Sequence, residues 1–164
     1  MAEQRIWAPE RLAYVKDAGK DPDERCIFCS LPAAGDDAAS LIVHRGESCF
    51  VVLNKFPYTS GHLMVAPFDH VGRLQEIPAS AIAEMMAFVK LGIDRLEEVY
   101  EPQGYNVGVN QGKAAGAGID HHIHMHLVPR WGGDTNFMPV IGDTRVMPQS
   151  LEDSYQALRS GFGT

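Results

Sequence analysis

Apolar and polar positions alternate without a break through residues 122 to 127, where Ile123, Met125 and Leu127 separate His122, His124 and His126. A two-residue period belongs to a β-strand, which would project the three imidazoles from one face and turn the apolar side chains to a core. On a helix the same spacing would scatter the rings over about 200°. The apolar runs 41–44 and 49–54, joined by Arg45-Gly46-Glu47-Ser48, predict a hairpin. Residues 62–67 predict another strand, stopped by Pro67, and 105–111 a further one. In that last strand Val107 and Val109 share one side, and Asn106, Gly108 and Asn110 the other. Between the last two strands Ile82, Met85, Met86, Val89, Ile93, Leu96 and Val99 or Tyr100 recur at three- and four-residue steps. They predict one long amphipathic helix over 79–100, with both methionines packing in the core. Pro78 suits its first turn, and Glu101-Pro102-Gln103-Gly104 ends it. Residues 151–160 predict a short terminal helix, and 31–39 a loop or short helix.

Composition narrows the partners more than the fold. The 164 residues suffice for one domain with a real core, and the apolar share of 45% is ordinary. The expected organisation is a polar lead-in over 1–25, one domain over 26–150, and a helical segment over 151–164. A net charge of -7 leaves no general basic surface for nucleic acid or an anionic membrane, so a phosphate ligand needs a local site. There is no run of 18 apolar residues, and residues 1–11 lack the apolar centre of a signal peptide. The expected compartment is the cytoplasm.

Three features carry candidate chemistry. Same-face residues on a strand stand roughly 6.5–7 Å apart, a spacing that lets the histidines cradle one phosphate or bind a metal. The bland alternative is a surface strand rich in histidine. Second, Gly112-Lys113-Ala114-Ala115-Gly116-Ala117-Gly118 puts no side-chain bulk between its backbone N–H groups and a ligand, so it can wrap a phosphate. By itself a plain hairpin loop explains it better, its place directly before the histidine strand raises its value, and it is not a P-loop. Third, Cys26-Ile27-Phe28-Cys29 leaves three readings open: two thiolates on one Zn²⁺, a redox dithiol, or two small buried side chains. Cys49 is expected to be buried.

His122-Ile-His124-Met-His126-Leu-Val resembles the motif of the histidine triad family, His-φ-His-φ-His-φ-φ. The likeness extends to Asn54 with Pro57, to Gly61-His62-Leu-Met-Val-x-Pro, to Asn106-Val-Gly-Val-Asn110-x-Gly112, and to Pro129-Arg130-Trp131-Gly-Gly-Asp134-x-Asn136-Phe137. The last run resembles the fragile-histidine-triad branch, and especially its bacterial diadenosine tetraphosphate phosphorylases. The resemblance implies an α+β fold with an antiparallel sheet, one long helix and a short C-terminal helix, paired as a homodimer. It implies a nucleotidyl hydrolase or transferase acting on a dinucleoside polyphosphate.

The resemblance also implies roles. His124 matches the nucleophile and His126 a phosphate-stabilising position. Asn54 matches a ribose contact, Gln111 an α-phosphate contact, and His62 a supporting histidine near the triad. Gly116 and Gly118 fall in the phosphate-wrapping loop. Cys26, Cys29, His70 and His122 match the structural zinc site of some members, a closed set with no open position. Mg²⁺ is compatible with the substrate's phosphate chain. This chain departs from the family in having Ile119 where many members carry a Ser or Thr. His121 is unusual too, and should point away from the triad face. Lys113 reads equally as a phosphate contact or a solvated loop lysine, and Phe50, Val52 and Met64 are candidates for a base pocket.

Chemically, an imidazole with a pKa near 6.5 is an available nucleophile at pH 7. Attack on phosphorus would form a nucleotidyl-histidine, released by water or by phosphate. The alternatives are a nucleotide-binding or signalling module with low activity, and a metalloenzyme that uses the triad as ligands.

Overall fold

The computed structural model describes residues 26–134 and 149–162. The expected lead-in over 1–25, and Asn136 and Phe137 of the Pro-Arg-Trp run, lie outside the described residues. Five strands form one antiparallel sheet in the order β1-β2-β3-β5-β4, with β1 Ile42–Arg45, β2 Cys49–Leu53, β3 Leu63–Pro67, β4 Gly104–Val109 and β5 Met125–Arg130. Among the described residues the α-helices are α1 Ile27–Ala33, α2 Ala79–Tyr100 and α3 Leu151–Arg159. The α+β class and the antiparallel sheet are therefore as expected, and α2 has the bounds that its apolar stripe predicts.

Strands β2 and β3 are apolar on both faces because both are covered. Val51, Leu53, Leu63, Val65 and Leu127 turn to one core with Met85, Val89 and Leu96 of α2 and Tyr155 and Leu158 of α3. Phe50, Val52, Met64 and Ala66 turn to a second core beneath α1, with Phe28 and Ile119. Those two groups alternate residue by residue along β2 and β3, as the pleat requires. Phe50, Val52 and Met64 are thus closed core residues and do not line an open base pocket.

Two expectations about these elements are corrected, and two further features emerge. The triad does not lie wholly on a strand: β5 starts at Met125, so His122 and His124 precede the ladder. The last β3 partner is Val65 against Met125, and upstream of it the Ile123 N–H bonds Val71 O instead, at 2.7 Å. Met85 is buried but Met86 is 44% exposed, because neighbours on a helix diverge by about 100° and one narrow stripe cannot hold both. The cysteine pair has a helical context: Cys26 is the N-cap of α1, whose seven residues include Pro32. Finally, Val107 is 45% exposed. It shares the α2 side of the sheet with Leu127, its partner in β5, but α2 packs mainly over β2, β3 and β5 and reaches β4 at Tyr105, whose hydroxyl donates to Ile93 O, leaving Val107 open.

Candidate functional site

His126 stands in the middle of the sheet, opposite Met64 on β3 and Gly108 on β4. His62 lies two residues before Met64, so it is the diagonal neighbour of His126 across the β3–β5 pair. Diagonal neighbours with long side chains touch, and His62 Nε2 lies 3.0 Å from His126 Nδ1. His124 closes on the same spot, its ring edge-on to that of His126 with centroids 4.8 Å apart. The structure therefore brings three of the expected histidines together. His62 and His124 are buried, and His126 is partly open.

Backbone groups decide how His122 and His124 carry their protons. His124 Nδ1 lies 2.9 Å from the carbonyl oxygen of His122. A carbonyl only accepts, so Nδ1 is the protonated nitrogen and Nε2 of the neutral ring carries the lone pair. His122 Nε2 donates to Pro67 O at 3.0 Å, leaving its Nδ1 as the lone-pair nitrogen. Burial pushes the His122 pKa down to about 4, so this ring is neutral at pH 7.

That Nδ1 faces Cys26 Sγ at 3.3 Å and Cys29 Sγ at 3.6 Å, and Cys29 Sγ meets His70 Nδ1 at 3.2 Å. Ligand atoms of Cys26, Cys29, His70 and His122 all lie within 4.8 Å of one another. His122 Nδ1, a lone-pair nitrogen, can only accept in these contacts. Two thiols and two imidazoles drawn from three separate segments are also the donor chemistry of a closed tetrahedral ion site, so this set could hold a metal. His121 does not point away as expected. Its ring leans on His70 at 5.4 Å and faces Asp120 at 3.6 Å, since residues outside the ladder are not bound to alternate.

The remaining expected residues fall as follows. Asn54 Oδ1 accepts from the Phe56 N–H at 2.9 Å, and its Nδ2 faces His62 Nδ1 at 3.2 Å. Gln111 is exposed, and its Oε1 accepts from the Leu74 N–H at 2.8 Å. Gly112 and Gly116 take left-handed φ of 83° and 86°, folding the glycine loop through a tight turn. Three of the loop's amides are engaged within it: Ala115 and Ala117 donate to Gly112 O, and Gly116 to Lys113 O. Gly116 thus shapes the loop, and Gly118 follows in a half-buried bend. Lys113 is 84% exposed and lies 3.8 Å from Asp120. Ile119 is buried in the second core. Cys49 is fully buried with Sγ 3.6 Å from Ala81 O, and burial first, then Glu84, pushes its pKa up to about 12.

Sequence reasoning missed two aromatic residues here. The Phe28 ring lies 4.5 Å from that of His124 and 5.2 Å from that of His122, backing both. Its place between the two cysteines was the available signal. Tyr58 covers the other side, 4.6 Å from the His62 ring and 6.1 Å from the His126 ring. Nothing local in the sequence marks it. At the far end of β5, Arg130 grips Asp134 with two nitrogens and Asn106 Oδ1 with a third, fixing the Pro-Arg-Trp corner.

Comparison with known proteins is consistent with this arrangement. The family model described as "HIT domain" matches residues 36–133. An AP-4-A phosphorylase of Mycobacterium tuberculosis is 40% identical over 161 residues, covering 94% of this chain and 82% of that protein. An adenylylsulfatase of Arabidopsis thaliana is 30% identical over 105 residues, or 64% of this chain and 52% of its own length. The crystal structure of a Zn-bound histidine triad family protein from Mycobacterium smegmatis superposes with a TM-score of 0.66 at 28% identity, covering 83% of this chain and 91% of that one.

Proposed function

The chain belongs to the HIT domain family, and from that premise we propose that it is a nucleotidyl hydrolase or transferase that cleaves dinucleoside polyphosphates at the α-phosphorus. One observation carries the reading: the His122 carbonyl holds the Nδ1 proton of His124, so the lone pair sits on Nε2 of the nitrogen nucleophile. The two relatives named for their activity support an adenylyl-bearing substrate.

In the proposed reaction His124 Nε2 attacks the α-phosphorus. A P–N bond forms, the P–O bond to the rest of the phosphate chain breaks, and a nucleotidyl-histidine results. His126, beside the nucleophile, stabilises the charge on a non-bridging oxygen. Ile119 offers no hydroxyl, so the leaving group is not protonated from that position. In the second half water or inorganic phosphate attacks the same phosphorus and the P–N bond breaks. Water yields a nucleoside monophosphate, and phosphate a diphosphate. Asn54, Gln111, Gly116 and Gly118 are assigned to the substrate's ribose and phosphates by their match to the family's positions, and the contact of Asn54 with His62 supports the first of these.

Cys26, Cys29, His70 and His122 are proposed to hold Zn²⁺. When bound it supplies charge neutralisation of two thiolates and a cross-link between α1, the turn after β3 and the triad. Mg²⁺ would accompany the substrate's phosphates. A homodimer is proposed through β4, an edge strand whose Asn106, Val107 and Gly108 are exposed. Among the described residues no helix is long and apolar enough to cross a membrane, and three free cysteines support a reducing compartment, the cytoplasm.

The test is incubation with diadenosine tetraphosphate, with and without inorganic phosphate, and identification of products by mass. ADP with ATP only when phosphate is present indicates a phosphorylase. AMP with ATP in its absence indicates a hydrolase. No cleavage of this or of any adenylyl substrate in either mixture overturns the reading in favour of a binding module.

A further inference from the structure

His124 and His126 must do opposite things, one presenting a lone pair and the other a proton, although they are the same side chain two residues apart. The His122 carbonyl settles the first. The second traces back to a different anchor, 64 residues away in sequence.

The Tyr58 backbone N–H, which can only donate, points at His62 Nδ1 at 3.2 Å. The Asn54 amide is fixed too: its oxygen is held by the Phe56 N–H, so its NH₂ group is the end that faces the same Nδ1, at 3.2 Å. Two donors converge there, so His62 Nδ1 carries no proton and the proton of the ring sits on Nε2. That Nε2–H is 3.0 Å from His126 Nδ1, which must therefore accept, leaving the His126 proton on its own Nε2. The reverse direction would put a proton on His62 Nδ1, against two N–H groups. The Tyr58 ring lies over both imidazoles and holds the line of atoms in place.

We propose that His62 is a positioning residue which fixes His126 as an Nε2–H donor toward the substrate phosphate, with the Tyr58 N–H and the Asn54 amide as the anchors of that choice. The proposal rests on the nucleotidyl-transfer reading for its purpose, but not for its geometry.

The test uses the full chain with ¹⁵N-labelled histidine. Long-range ¹H–¹⁵N correlation reports which nitrogen of His126 is protonated, without substrate. The wild type should show the Nε2–H form. His62→Gln keeps an N–H donor toward His126 and should retain both that form and most of the activity. His62→Leu removes it, and should mix the two His126 tautomers and lower kcat in proportion to the Nε2–H population lost, short of the about 10²–10³-fold that deleting a preorganised donor outright costs, with KM little changed. Should His62→Leu fail to fold, the isosteric Asn54→Asp turns a donor into an acceptor and should also shift His126 toward Nδ1–H. A wild-type His126 in the Nδ1–H form overturns the proposal, as does a folded His62→Leu or Asn54→Asp that keeps the Nε2–H form. A wild type that shows the Nε2–H form but cleaves no dinucleotide refutes the proposed reaction and leaves the relay standing.

Discussion

At the scale of single residues the site is a set of proton positions imposed by the backbone. The Pro67 and His122 carbonyls each accept from a histidine N–H, and in doing so point the other ring nitrogen at the candidate metal set or at the proposed substrate position. A one-residue change of register would exchange donors for carbonyls, so the chemistry depends on the fold to within a hydrogen-bond length. His124→Ala removes the nucleophile together with its ring contacts to Phe28 and His126 and its hydrogen bond to the His122 carbonyl. Its kcat should fall by about 10³-fold or more, with unfolding free energy lowered by no more than about 1–2 kcal/mol. Steady-state kinetics and denaturant unfolding measure the two quantities. Substantial turnover in a folded His124→Ala protein would remove this residue from the mechanism. The three alternating histidines are plain in the sequence because residues two apart on an extended chain carry their own periodicity. The contact of His62 with His126 is not, since it depends on how β3 registers on β5.

At the scale of elements, legibility followed length and periodicity. Helix α2 could be read to its ends because 22 residues give the apolar stripe six turns to declare itself. Seven-residue α1 with Pro32 inside could not, since its helix follows from packing over the second core more than from local propensity. Exposure of Val107 and Met86 was equally hidden, because which strands a helix covers is a tertiary fact. The loop before β3 illustrates how elements set the site. Gly61 has φ of 78°, and a Cβ there would stand 2.7 Å from Leu96 Cδ2 and 2.9 Å from Tyr100 Cε2 of α2. The glycine lets the chain pass α2 closely and deliver His62 into line. Gly61→Ala combines a left-handed penalty of about 1–2 kcal/mol with overpacking of about 1–3 kcal/mol. Denaturant unfolding should show a loss of about 2–5 kcal/mol, and kcat should drop with it as His62 shifts. A variant as stable and active as the parent would show that this approach is not tight.

At the scale of the whole molecule, one residue joins the candidate metal set to the nucleophile. His122 contributes its ring to the cysteine pair and its carbonyl to His124, so an ion there would brace the triad as well as α1. A strong chelator should lower the melting temperature of protein isolated with zinc, in proportion to the lost binding energy, and zinc should restore it. No shift on chelation of a protein shown to contain zinc would contradict that. The metal-free protein should also show acid sensitivity of known sign. The folded pKa of His122 is lowered from 6.5 to about 4, so between those values the unfolded chain binds the proton that the folded chain excludes. Stability should be fully present above pH 6.5 and decline as pH falls toward 4, a slope that His122→Gln should flatten. The central claim concerns the covalent step. Protein mixed with diadenosine tetraphosphate, quenched within milliseconds in alkali and weighed intact should gain the mass of one adenylyl group, mapped by peptide to His124 and absent in His124→Ala. Cleavage of the substrate by a protein that carries no adduct at any time point, or an adduct on another residue, would contradict the account.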